Sequence, residues 1–566
     1  MPIAEVGLLR RVSRALREAL PAVVVGLVAF TVAVVGSWIP NLWGDEAASL
    51  LSAERSLPSL WSMINHVDAV HAGYYVFLHI WISAFGDSPF SIRFPSALAA
   101  GVAAAGIVVL VRRFSSTPFA VVAGLACAVL PRMTYAGEEA RSYAMTAAIA
   151  VWLTVILAAT VRRSRHGDRL GPRARGSAQR GAMRGEAWGW IGYGILLALG
   201  TQLFLYLAII PVAHAMSLAL LRSARVVWRA WLKTCAIAAA VALPFVVLAA
   251  SEHSQISFLA YRDDASLGVV LPGAFFSSVP LAYLGWGLSL VAVIGFTVRR
   301  IRRVAWTPSD TLEALVLPWA FAPFILLELL NAAIPAFTSR YLTMCAPAVA
   351  VAIVLGVREL VVLVREAARR SDAMRRLRGP AFLATATGVL LAIALGGLTA
   401  PVWAAQRTPY SKNNSDWSQI SDTIGAEARQ GDAIVFDEGV RPSRKTRLAM
   451  RAYPAGFANV KDVSLSKPYY DVANWADATL PIAKVIQRGR LADVSRVWVV
   501  EYADATSVDT YGVKEIEATG FIRVGSVRLH SSEIYLYERA GAAITASRPL
   551  DYVPSPAQTD DGSLPH

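Results

Sequence analysis

Cysteine is scarce. The 566 residues contain three, Cys127, Cys235 and Cys345, each inside an apolar run, and none lies beyond position 345. That excludes a disulfide framework and a cysteine-ligated metal site in the C-terminal part and leaves packing as their expected role. Charge is sparse too: 17% of residues are charged against 55% hydrophobic, with a mean hydropathy of +0.47. A soluble globular chain is thereby excluded. No internal repeat is visible, and the acids avoid the apolar runs, which argues against a transporter built from paired repeats with ionisable residues at mid-membrane depth.

Long apolar runs are what the chain has in quantity. They fall near 18 to 38, 94 to 111, 117 to 131, 143 to 161, 188 to 201, 204 to 222, 230 to 250, 278 to 297, 313 to 334, 341 to 357 and 381 to 402. Most approach the roughly 20 residues that cross a hydrocarbon core, so the sequence predicts an α-helical polytopic membrane protein with about eleven spans. The first run is too long for a secretory h-region and has no A-x-A site, and it is expected to remain as an anchor. The run from Tyr74 to Phe85 is short and contains His79, and it reads as a helix lying in the interface, preceded by an amphipathic stretch from Ala47.

Basic residues decide the sidedness. With the N-terminus cytoplasmic, the inner segments hold 29 Lys and Arg, while the outer loops hold only Arg55, Arg93, Arg132, Arg141, Arg262 and Arg340. This is the distribution of a plasma-membrane protein under the positive-inside rule. The formal charge of +14 is therefore topological, and no nucleic-acid partner is needed to explain it.

The composition changes after Trp403. Runs at 431 to 436, 496 to 500, 521 to 528 and 533 to 537 read as strands, and Ser415 is placed to cap a helix with Trp417, Ile420 and Ile424 on one face. The expected organisation is a membrane module over 1 to 404, an extracytoplasmic α/β domain over 405 to 546, and a disordered Pro-, Ser- and Asp-rich tail over 547 to 566.

Chemistry-bearing residues gather in the outer loops. Asp45, Glu46, His66, Asp68 and His71 precede the second span; Glu138, Glu139, Arg141 and Tyr143 follow the third; the stretch from Glu252 to Asp264, with Gln255, follows the seventh; Arg340-Tyr341 opens the tenth. Carboxylates and a few arginines on one face suit group transfer, in which an acceptor hydroxyl needs a base and a phosphate leaving group needs cations. The plainer readings are acids marking the outer end of a helix and arginines in loop ion pairs. No cofactor is implied. A divalent metal on His66, Asp68 and His71 is the alternative, although their spacing matches no metal signature.

Asp45-Glu46 after the first span, Asp68-Ala-Val-His71-Ala-Gly-Tyr74-Tyr75, Ser91-Ile-Arg93-Phe-Pro95-Ser96, Glu139-Ala-Arg141-Ser-Tyr143 and Ser339-Arg340-Tyr341-Leu342 occur in this order on one side. In this the chain resembles the GT-C glycosyltransferases over residues 18 to 405, in particular the branch with protein O-mannosyltransferases and the lipid A aminoarabinose transferase. The added outer α/β domain looks like that of actinobacterial cell-envelope transferases. The resemblance implies an inverting enzyme that moves a sugar, mannose or arabinofuranose, from a polyprenyl phosphate to an envelope glycolipid, polysaccharide or protein. It makes Asp45 the catalytic base, gives Arg340, Arg141 and His71 the donor phosphate, and gives Glu46, Asp68, Glu139, Tyr143 and Gln255 the acceptor or sugar. A polyprenyl-lipid flippase and a non-catalytic envelope scaffold are the rival classes.

Overall fold

The computed structural model describes residues 3–169, 177–252, 266–332, 337–370, 379–504, 506–508, 510–541 and 548–550. The chain divides into two compact units, one formed by 1–35, 69–74 and 93–404, the other by 36–68, 75–92 and 405–566. Residues 36–68 and 75–92 cluster with the C-terminal part in the second unit, where the Leu42 amide donates to the Tyr453 hydroxyl at 2.9 Å and Arg55 Nη1 to the Val472 carbonyl at 2.9 Å.

The first unit is helical, and each of the eleven apolar runs is largely helical over its described residues. Among the described residues eight helices are long and apolar enough to cross a membrane, nine if Thr117–Val129 and Pro131–Gly137 count as one span bent by 61°. Pro131 explains the bend, since a residue before proline is driven out of the helical region, and Leu130 has φ −62° and ψ 125°. The run 188 to 201 lies inside the helix Ser177–Leu203. The run 204 to 222 is divided between a 3-10 turn, Leu205–Ile209, and the helix Ile210–Leu220, and the stretch Leu205–Leu220 is shorter than a crossing helix. Packing is through small residues: Ala97, Ala100, Ala103, Ala104, Ala144 and Ala147 are buried, which lets helices approach closely where lipid provides no hydrophobic drive.

The acids do not all avoid the spans. Asp310 and Glu313 occupy the first turns of the helix Pro308–Asn331, and Glu328 lies near its other end. Asp310 closes a capping box with Thr307 and accepts from Arg299 Nε at 3.1 Å, while Glu313 pairs with Arg299 and Arg358. The two fully buried carboxylates, Asp310 and Glu313, are retained here because each has a guanidinium.

The second unit carries the strands β1 (Asp432–Phe436), β2 (Val460–Asp462), β3 (Leu465–Lys467), β4 (Ala478–Thr479), β5 (Arg496–Tyr502), β6 (Phe521–Arg528), β7 (Ser532–Arg539) and β8 (Arg548–Pro549). Six form one sheet in the order β2-β1-β5-β7-β6-β8, with β2, β1 and β5 parallel and β7 antiparallel to both β5 and β6; β3 and β4 pair separately. The apolar face buries Ala433, Val435, Val497, Val499, Phe521, Tyr535 and Tyr537. The helix Trp417–Glu427 buries Trp417, Ile420 and Ile424 as expected, but its N-cap is Asp416. Ser415 instead donates to the Leu42 carbonyl at 2.7 Å. Of the expected tail, Arg548–Pro549 extend the sheet beside β6, and residues 551–566 lie outside the described ones.

Candidate functional site

In the first unit the segment Ala69–His71 is a single 3-10 turn, held by a 2.8 Å hydrogen bond from the Ala69 amide to Glu252 Oε2. Gly73 lets it pass the helix Ser177–Leu203, since a Cβ there would stand 2.4 Å from the Gln202 carbonyl oxygen. His71 is thereby placed against Phe204, at the end of that helix, with the two rings stacked. Tyr143 meets Phe204 edge-on at 5.3 Å, and Tyr341 lies 5.2 Å from Phe204 and 4.5 Å from Tyr206. Four segments far apart in sequence thus build one aromatic wall around one imidazole.

The charged groups come from two turns. Between the helices Pro131–Gly137 and Tyr143–Arg169 the chain turns through Glu138, Glu139, Ala140, Arg141 and Ser142, all buried. Ser96, the last residue of the Ser91 to Ser96 motif, fixes this turn by donating to the Arg141 carbonyl at 3.2 Å. Arg340 is half-buried on the 3-10 turn Ser339–Cys345, which packs on the helix Tyr143–Arg169. Burial, and then the fields of Arg141 and Arg340, hold the His71 pKa well below its ordinary value. His71 is therefore a neutral imidazole at neutral pH, able to offer one N–H but no charge.

Arg132 has another task. Its Nε and Nη2 donate to the carbonyls of Ala274 and Gly273 at 2.8 and 2.6 Å, and its own amide donates to Phe275. It ties the segment 273–275 to the bend at Pro131. Phe204 and Tyr206 are the contributors that sequence reasoning did not single out, while Glu252 stood among the outer-loop candidates without a role. The one signal for the first two was a pair of aromatics at the break between two apolar runs.

The second unit holds the other carboxylates. Asp45 and Glu46 lie in the first turn of the helix Gly44–Ala53, where the helix dipole favours negative charge. Their environments differ: Glu46 is fully buried and Asp45 half-buried, as expected of neighbours about 100° apart on a helix. Gly44 makes this start possible, since a Cβ would stand 2.4 Å from the Ser443 Cβ. Asp68 is half-buried in a left-handed conformation, φ 59°, and accepts from the Tyr75 hydroxyl at 3.1 Å. His66 is exposed with Nδ1 2.8 Å from the Ser62 carbonyl. Among the described residues no group of three or more His, Cys, Asp or Glu is gathered as a metal site, so His66, Asp68 and His71 do not form one there. Gln255 lies outside the described residues.

No protein-family model matches the chain, and no curated protein matches it in sequence. Solved structures do match. ArnT from Cupriavidus metallidurans in the apo state aligns with a TM-score of 0.52 at 11% identity, over 92% of this chain and 98% of that one. The same protein bound to undecaprenyl phosphate gives 0.51 at 12%, over 92% of this chain and 98% of that one. The apo Archaeoglobus fulgidus oligosaccharyltransferase gives 0.49 at 13%, over 84% and 69%. At such identities the likeness to ArnT is one of fold alone, and the polytopic helical architecture with a C-terminal α/β part expected from the sequence is the one observed.

Proposed function

We propose that this chain is an inverting glycosyltransferase that takes a sugar from a polyprenyl phosphate and delivers it to an extracytoplasmic envelope acceptor. The observation that carries the reading is two guanidiniums, Arg141 and Arg340, bearing on one buried neutral imidazole, His71, within an aromatic wall. Such a set suits a phosphate ester: arginine forks grip the oxygens, and a neutral imidazole donates without adding a third charge. The fold likeness to a protein solved with undecaprenyl phosphate supports the donor class.

In this reading Asp45 takes the proton of the acceptor hydroxyl as that oxygen attacks the anomeric carbon from the face opposite the phosphate. The bond from the anomeric carbon to the phosphate oxygen breaks, its electron pair stays on the phosphate, and Arg340 and Arg141 stabilise the charge that develops. Asp45 is the better base of the pair because its partial exposure leaves it open to a hydroxyl, whereas Glu46 is enclosed. Glu46, Asp68, Glu139, Tyr143 and Gln255 are assigned to acceptor or sugar contacts. Mannose is the favoured sugar and arabinofuranose the second.

The test is purified chain with radiolabelled polyprenyl-phosphate mannose and arabinose in the presence of envelope extract. Transfer is expected, and Asp45→Asn should lower turnover about 10²-fold with little change in donor binding, while Glu46→Gln should be milder. Near-normal transfer by a folded Asp45→Asn protein would remove Asp45 as the base, and movement of the lipid without bond cleavage would make the protein a flippase.

A further inference from the structure

In the first unit the helices Ser177–Leu203 and Arg225–Ser251 pack side by side, and a groove of about 450 Å³ lies between them. Gly194 sets how closely they approach, since a Cβ there would stand 2.9 Å from Thr234 Cγ2. Trp190 is buried in the groove wall and is braced by Tyr193, which it meets at 6.2 Å with the rings 73° apart. The Tyr193 hydroxyl lies 2.7 Å from His214 Nδ1 and accepts from Trp231 Nε1 at 3.3 Å, so this wall is held in place. The groove is not part of the site around His71: about 20 Å of helix separates Trp190 from Leu203, the neighbour of Phe204.

The exposed lining is Ile191, Ile195 and Ile237, with one cation, Lys233. Lys233 stands three residues inside the apolar run 230 to 250, where an ammonium is costly without a counter-charge. Arg225 and Arg229 precede it at intervals of four, which puts all three on one face of the helix, and all three are exposed. Among the described residues no carboxylate pairs with any of them, Glu186 on the neighbouring helix included. Topology asks only for basic residues outside the hydrocarbon, and Arg225 and Arg229 meet that need. Lys233 goes beyond it.

We propose that this groove binds an anionic glycerophospholipid, with one acyl chain along Ile191, Ile195 and Ile237 and the phosphate on Lys233 and Arg229. The lysine stem can follow the apolar rim and carry its ammonium up to the headgroup. From Ala230 to Ile237 the groove runs about 10 Å along the helix, enough for a stretch of extended chain. An acyl chain gains no hydrophobic free energy by leaving other chains for this groove, so selection has to come from the headgroup. A row of unpaired cations leading to the rim complements an anion, and basic recesses between membrane helices at their cytoplasmic ends recognise such headgroups.

Native mass spectrometry of the full chain in detergent, with equimolar phosphatidylglycerol and phosphatidylcholine, tests this. Preferential retention of phosphatidylglycerol is expected. Arg229→Gln combined with Lys233→Gln should cut the preference about fivefold for each cation removed, the worth of a basic residue near an anionic surface. Arg365→Gln combined with Arg369→Gln removes the same charge from exposed positions four apart at the end of the helix Ala346–Arg370, and should leave the preference unchanged. Ile195→Trp keeps every charge and fills the groove from an exposed position, so bound lipid should fall. Equal retention of the two lipids by the wild-type chain, an equal effect of the two double variants, or undiminished binding by Ile195→Trp would overturn the proposal. Displacement of phosphatidylglycerol by equimolar undecaprenyl phosphate would give the groove to the prenyl lipid and overturn it as well. None of these measurements uses sugar transfer, so the outcome here and the outcome for the proposed function are separate results.

Discussion

The imidazole of His71 lies nearly parallel to the ring of Phe204, 11° apart in plane with centroids 5.6 Å apart. One face of the imidazole is thus covered by hydrocarbon, and water is kept from the group that two arginines already make reluctant to take a proton. The pairing joins residues more than 130 positions apart, and it sets the charge state of the proposed donor site.

Phe204→Ala should uncover that face and let the His71 pKa climb toward its ordinary value near 6.5. In the wild-type chain the depressed pKa means that unfolding takes up a proton once the pH falls below about 6.5, so this group's contribution to stability declines from there downward. The variant should show a smaller decline and a His71 titration in NMR shifted upward. An unchanged titration would mean that the arginines alone set it.

Arg340→Ala should weaken binding of the lipid phosphate about 10- to 100-fold, the range for losing a charged hydrogen bond, and lower turnover as well. Arg340→Lys should recover part of the binding, since it keeps the charge but loses the fork. Full binding by a folded Arg340→Ala protein, measured by equilibrium binding of labelled undecaprenyl phosphate, would hand the role to Arg141.

Asp416 gives the second unit its own pH dependence. Burial pushes its pKa up to about 6 against the bonds from Ser531 and Ser532, which pull it down. A raised folded-state value stabilises below the unfolded pKa, and the effect is lost as the pH rises from about 4 through 6. Asp416→Asn should remove this component, worth roughly 3 kcal/mol, so thermal melting between pH 4 and 7 should become flatter. An unaltered slope would count against the assignment.

The sidedness inferred from basic residues is open to a labelling test. In a background without the three native cysteines, a cysteine at Ala305 should be shielded from a membrane-impermeant thiol reagent in intact cells, and one at Lys467 should react. Both positions are exposed, so burial does not confound the result. Reaction at 305 would reverse the arrangement.

Hydropathy made the helices of the first unit legible, and short runs rich in β-branched and aromatic residues did the same for β1, β5, β6 and β7, because each pattern is local. β2 was not legible, since Val460-Lys461-Asp462 carries two charges and is strand only through pairing with β1. The charged residues near His71, Arg141 and Arg340, could be singled out because charge is rare in such a chain. The aromatic half of the candidate site could not: Phe204 and Tyr206 look like any apolar residues until the fold brings them to His71. Ser415 shows the limit for caps: its hydroxyl goes to the Leu42 carbonyl, and the N-cap position falls to Asp416, whose carboxylate is taken by Ser531 and Ser532 and makes no capping bond.

The second unit is assembled from the beginning and the end of the chain, with residues 93–404 made in between. At a synthesis rate of about 5–20 residues per second, the segment 36–68 exists for tens of seconds before β1 is made. During that interval Leu42, Gly44 and Glu46 lack the groups that later enclose them, among them Ser415 and Ser443. Maturation of the turn that carries Asp45 is therefore tied to the last quarter of translation: a chain stalled before its C-terminal strands would sit in the bilayer with its proposed base unformed, and so without transferase activity.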